Sequence, residues 1–169
     1  MGFGMIERTK LWAVLAGSVG GALAIAVMEM YSATAQFPLV AIPFATSIVL
    51  VMGSPKAEPA QPRALVGGHL VSTAVGLLAL KLLGPDVWVA AMAVGLAMIA
   101  MHLTGTFHPP AGIDPLVVVI NAMPLSFLLV PVAAGALLLA AFAFAWHNIV
   151  ARGARQGDAG GLAWPVRWW

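Results

Sequence analysis

The 169-residue chain is 62% hydrophobic and 8% charged, with eight basic residues, six acidic residues, no cysteine and a formal net charge of +2. Soluble domains carry roughly 25% charged residues, so this chain cannot clothe a water-facing surface and reads as a membrane protein. The missing cysteines exclude disulfides and thiolate metal sites, and the scattered basic residues offer no nucleic-acid surface.

The N-terminus imitates a secretory leader: Glu7, Arg8 and Lys10 precede an apolar run, and Ala33-Thr34-Ala35 resembles a cleavage site. The run is long for a leader core, Glu29 interrupts its end, and the rest of the chain is equally apolar. Leu11 to Met30 is therefore taken as the first span, since a bilayer core about 30 Å thick needs about 20 apolar residues. Phe37 to Met52 is apolar but short and contains Pro38 and Pro43. Ser54 to Arg63 reads as a loop punctuated by Pro55, Pro59 and Pro62. Ala64 to Leu83 fits a third span, Gly84-Pro85-Asp86 a turn, and Val87 to Leu103 a fourth. Thr104 to Gly112 holds His108-Pro109-Pro110, which cannot be helix interior. Ile113 to Met123 is too short for an intact span, and Val132 to Val150, starting as early as Leu125, is the last.

The count is five or six, and the distribution of Lys and Arg decides. With a cytoplasmic N-terminus and six crossings, Arg8, Lys10, Lys56, Arg63, Arg152, Arg155 and Arg167 lie inside and only Lys81 outside; five crossings split them evenly. Trp12, Tyr31, Trp88 and Trp146 fall near span ends as interfacial anchors. The expected fold is all-α: a polytopic transmembrane bundle of six crossings, the second and fifth broken by proline. It occupies 1–150 as one domain, followed by a short cytoplasmic Gly- and Trp-containing tail over 151–169. A slide of 67 residues aligns Pro43 with Pro110, Gly17 with Gly84 and Gly68 with Gly135, as an inverted three-plus-three repeat would. Paired broken segments point to a transporter binding site.

In that arrangement the second span turns helical at Pro43, and the fifth after an extended His108-Pro109-Pro110. Both helix starts then offer unpaired N–H groups and positive dipole ends to one cavity. The alternative is that these prolines only kink packed helices.

Three segments carry a resemblance. Phe107-His108-Pro109-Pro110-Ala111-Gly112 resembles the signature of the HPP family of integral membrane proteins. Ala60-Gln61-Pro62-Arg63 with Gly67-Gly68-His69 is similar to that family's second motif, and Phe44 to Leu50 to the small-residue segment before it. The resemblance runs from about Leu11 to Val150. Plant members are described as chloroplast nitrite transporters, so the resemblance implies passage of a small anion such as nitrite. One departure stands out. The family is usually small and neutral after the glycine, whereas here Ile113-Asp114-Pro115 follows, which reads as an Asp N-cap with Pro at N1.

The expected substrate-binding residues are His108, Pro110, Ala111, Gly112 and Asp114 on one side and Ala45, Thr46, Ser47 and His69 on the other. N–H groups of Ala111–Gly112 and Ala45–Ser47 would be the main ligands. Ionisable groups at membrane depth are expensive and often functional, yet His69 and His108 can equally bond neighbouring helices or freed carbonyls. Arg63 is either an anion attractor at the cytoplasmic mouth or an interfacial anchor. Lys81 and Glu29, near span ends, snorkel or pair. Met92, Met98, Met101 and His102 suggest a soft-metal permease, a weaker reading. No activated serine–histidine–carboxylate set is visible, so no enzyme and no cofactor are expected. The expected partners are the lipid bilayer, a small inorganic anion and further copies of the chain. The expected location is a bacterial inner (plasma) membrane with both termini cytoplasmic. A non-transporting scaffold or sensor subunit is the reading of a different class.

Overall fold

A computed structural model describes residues 8–35 and 42–153. Six α-helices follow in order: α1 (Arg8–Ala35), α2 (Ile42–Gly53), α3 (Pro62–Leu83), α4 (Val87–Leu103), α5 (Asp114–Ile120) and α6 (Ala134–Gly153). Short 3₁₀ helices lie at Glu58–Ala60, Pro109–Ile113 and Leu125–Leu128. No strand occurs among the described residues.

Three stretches are long and apolar enough to cross a bilayer: Leu11–Met30, Pro62–Leu83 and Leu125–Val150. Three shorter apolar segments lie between them: Phe44–Gly53 after the first, and Val87–Leu103 and Pro109–Ile120 after the second. At 1.5 Å per residue, the seven residues of α5 reach only about 10 Å, a third of a hydrocarbon core. The expected tail beyond Gly153 and the expected extended stretch at 37–41, with Pro38, lie outside the described residues.

Local chemistry sets the boundaries. Pro62 opens α3 at a position where its missing N–H costs nothing, so Pro62 and Arg63 belong to the helix rather than to the loop expected there. Gly84, at φ +83°, ends α3 in a conformation that favours glycine. The Asp86 carboxylate then caps α4 by accepting the Trp88 N–H at 2.7 Å. In the fifth segment His108 is the last extended residue, and Pro109 and Pro110 already belong to the 3₁₀ turn. Extended backbone was expected through Pro110. The physical reason is that proline fixes φ near −65°, which suits a helix start.

Large apolar residues face outward: Trp88, Leu103, Leu125 and Leu82 are strongly exposed. Ser47, His69, Ser72, Thr73, His108 and Asp114 are buried. This polar-in, apolar-out pattern suits lipid as the solvent. One apolar core joins α1, α2, α3 and α6 through Met28, Ile48, Leu65 and Leu139. Glycines bring backbones close: Gly20 of α1 lies under the Trp146 indole, whose N–H donates to the Ala16 carbonyl at 3.1 Å. Trp146 is thus a packing residue between α1 and α6 rather than an interfacial anchor. Gly17 and Gly84, aligned by the 67-residue slide, play different parts: Gly17 packs on the Met52 carbonyl inside a helix, and Gly84 forms a helix end. Pro43 and Pro110 are alike, each the second residue of its helix.

Candidate functional site

The helix α3 carries Gly68, Ser72 and Gly76 at four-residue spacing, which puts them on one face. A Cβ on Gly68 would lie 2.6 Å from the His108 Cβ and 2.8 Å from the Thr106 carbonyl oxygen. One on Gly76 would lie 2.7 Å from the Pro115 Cα. This smooth face lets the broken fifth segment lie directly on α3. Ser72 secures it by donating to the Ala111 carbonyl at 2.6 Å.

That close approach assembles a chain of four buried polar groups. Asp114 Oδ2 lies 2.8 Å from His69 Nδ1, and Thr73 donates to the same oxygen at 3.2 Å. His69 Nε2 lies 2.9 Å from Ser47 Oγ, and Ser47 Oγ lies 2.8 Å from His108 Nε2. His108 Nδ1 lies 2.7 Å from the Pro59 carbonyl, so this nitrogen carries a proton and donates. Phe44 stacks on His69 with ring centroids 4.6 Å apart, which fixes the plane of the imidazole. Three elements converge: α2 supplies Ser47, α3 supplies His69 and Thr73, and the broken segment supplies His108 and Asp114.

Several expectations are corrected by this geometry. Asp114 is not an N-cap: Ile113 holds that position without a side-chain cap, and the Asp114 carboxylate turns into the core toward His69. There it has two partners, the His69 ring at 2.8 Å and the Thr73 hydroxyl at 3.2 Å, in place of a single local backbone bond. The Ala111 N–H is not a free anion ligand, because it donates to the His108 carbonyl at 3.0 Å. With α2 starting at Ile42, Thr46 and Ser47 are its fifth and sixth residues and lie beyond the unpaired N–H groups of a helix start. Ser47 faces the core, while Thr46 lies on the exposed face. A Cβ on Gly112 would meet nothing within 4 Å, and Pro110 beside it is half-buried.

Ser47, His69 and Asp114 do form a serine–histidine–carboxylate set, which sequence spacing concealed. His69 stands 22 residues from Ser47 and 45 from Asp114. Methionines do not converge: Met101 is buried, whereas Met92 and Met98 are each 45% exposed. His147 went unnoticed in the sequence; it is buried, and its Nε2 donates at 3.1 Å to the Val51 carbonyl in the last turn of α2.

A cavity of about 400 Å³ opens beside the cluster, lined by Lys56, Pro59, Gln61, Arg63, His102 and Phe107 among others. The Pro59 carbonyl that His108 holds is part of the residue forming its wall. Arg63 donates to the Thr104 carbonyl at 2.8 Å, tying the start of α3 to the end of α4. Gly105, at φ +63°, leaves the Arg63 guanidinium its space. His102 stacks on Phe107 at 4.1 Å. Arg63 is thus both a structural tie and a cavity cation.

The fold and site define a helical membrane protein with a buried histidine–carboxylate cluster at a proline-broken segment. The chain belongs to the HPP transmembrane family, whose model for the transmembrane region matches residues 6–156. Two Dictyostelium discoideum proteins, each described as a transmembrane protein, are similar. One is 38% identical over 134 residues, covering 75% of this chain and 40% of the relative. The other is 32% identical over 167 residues, covering 94% of this chain and 55% of the relative. The chain therefore spans about half or less of the curated relatives it matches. No solved structure matches it.

Proposed function

We propose that the chain carries a small inorganic anion across the membrane, nitrite in view of the family resemblance. The supporting observation is the junction of α2 with the Pro109–Ile113 turn, where Ser47 and His108 meet behind a cavity lined by Lys56 and Arg63. Cations at the mouth would concentrate the anion, and the Ser47–His108 junction would control its passage. In this reading the six apolar segments are six crossings with cytoplasmic termini, in a bacterial inner membrane. Labelling a cysteine placed after Arg155 from the outer side would contradict that orientation. The buried serine–histidine–carboxylate set acts here as a polar control point and not as a hydrolytic centre. Ser47 is fully buried, and neither it nor His69 lines the cavity. Helix starts contribute less than the sequence suggested, since the Ala111 N–H is already engaged.

Arg63 provides the test. Fields from partly exposed charges are screened over about 8–10 Å at moderate salt. Nitrite uptake into liposomes holding the Arg63→Gln chain is expected to fall several-fold at low ionic strength and to approach the parent rate at high salt. Equal uptake by both chains at every salt concentration would leave Arg63 as a tie between helices and remove the mouth from the mechanism.

A further inference from the structure

We infer that Asp114, His69, Ser47 and His108 hold one transferable proton and pass it between the two histidines through the Ser47 hydroxyl, making anion passage proton-coupled. The inference rests on the anion-transport reading and adds its coupling ion.

Hydrogen-bond polarity carries it. The Pro59 carbonyl can only accept, so His108 Nδ1 always donates. Two arrangements of the same protons then satisfy every bond in the row. In the first, His108 is neutral and its Nε2 accepts from the Ser47 hydroxyl. Ser47 oxygen accepts from His69 Nε2–H, and His69, protonated on both nitrogens, donates Nδ1–H to the Asp114 carboxylate. In the second, His108 carries both protons and donates Nε2–H to Ser47. Ser47 donates to His69 Nε2, and neutral His69 keeps its Nδ1–H on Asp114.

Conversion is a balanced double shift. The His69 Nε2–H bond breaks as that proton bonds to Ser47 oxygen, and the original Ser47 O–H bond breaks as its proton bonds to His108 Nε2. No net charge is gained or lost, and no heavy atom need move far over steps of 2.9 and 2.8 Å. The positive charge moves between rings whose centroids are 5.2 Å apart. Asp114 favours the charge on His69. Against this, an anion in the cavity beyond Pro59 would draw it to His108. Lys56, Glu58 and Arg63, the charged residues lining that cavity, set how strongly. Binding of the anion and position of the proton are thereby linked, as symport requires.

The test uses the purified full-length chain in phosphatidylcholine–phosphatidylglycerol vesicles with a trapped pH dye, potassium and valinomycin fixing the voltage, and sodium nitrite as probe. Protein-free vesicles give the nitrous-acid leak to be subtracted. An inward nitrite gradient is expected to acidify the lumen, and Ser47→Ala to slow that acidification at least tenfold. Asp114→Asn, which keeps a hydrogen-bonding side chain but loses the counter-charge, is expected to slow it likewise. Nitrite entry without acidification would overturn the coupling and leave the transport reading standing. Absence of both movements would overturn the two together. Full acidification in Ser47→Ala would overturn the route. Nitrogen-15 spectra of the reconstituted parent chain add a check that needs no variant: His108 is expected to be protonated at Nδ1, and a bare Nδ1 would end the inference.

Discussion

Gly68→Ala is expected to lower the stability of the chain by about 1–3 kcal/mol, the usual cost of inserting a methyl group into a packed core, and to cut anion flux at least tenfold. The new Cβ would meet the His108 Cβ at 2.6 Å and the Thr106 carbonyl at 2.8 Å, neither of them the far end of a flexible side chain. Either α3 separates from the broken segment or His108 moves. The first lengthens the 2.8 Å contact between His69 and Asp114, and the second the 2.8 Å contact between His108 and Ser47. Gly95→Ala in α4 is the matched control. No atom lies within 4 Å of its would-be Cβ, and alanine is the better helix former by about 1 kcal/mol. Thermal unfolding in detergent, followed by tryptophan fluorescence, should show a lower transition for the first variant and an equal or higher one for the second. Equal transitions and equal fluxes would mean that the Gly68 contact does not position the cluster.

The other large effect is expected from Asp114→Ala. Removing one member of a buried, hydrogen-bonded pair typically costs about 3–5 kcal/mol, because the partner is left uncompensated. Here the partner is His69, fully buried and held at 2.8 Å, and Thr73 also donates to the same oxygen. Asp114→Asn should lose much less, since its amide oxygen can still accept from one of these groups. A ranking of parent, Asn, then Ala in thermal transition supports a stabilising pair. Asp114→Ala at or above the parent value would show that burying this carboxylate costs as much as its bonds return.

Much of this arrangement was legible in the sequence, residue by residue. Proline placement exposed the fifth segment as broken, while the break expected in the second falls at residues outside those described, and the cost of ionisable groups at membrane depth singled out His69, His108 and Asp114. What sequence could not supply was direction. Pro115 after Asp114 looked like a capped helix start, yet the helix had already begun as 3₁₀ at Pro109, and the extra turn rotated the carboxylate into the core. Thr46 and Ser47 are neighbours in sequence, and only the register of α2 puts one on the exposed face and the other in the centre. Gly67-Gly68 does not reveal in sequence what it packs against, which is the Thr106 side chain for Gly67 and the Thr106 carbonyl with His108 for Gly68. The Pro59 carbonyl, 49 residues from His108, carries no side-chain signal at all. His147 was hidden for a similar reason, because its partner is a helix-end carbonyl whose exposure depends on where α2 stops.

The most direct measurement of the central claim is the concentration dependence of nitrite flux through the purified chain in sealed vesicles. A rate that rises and saturates with nitrite, above that of protein-free vesicles, is the expected result. No flux of nitrite, nitrate or chloride above that background would contradict it and favour a non-transporting scaffold.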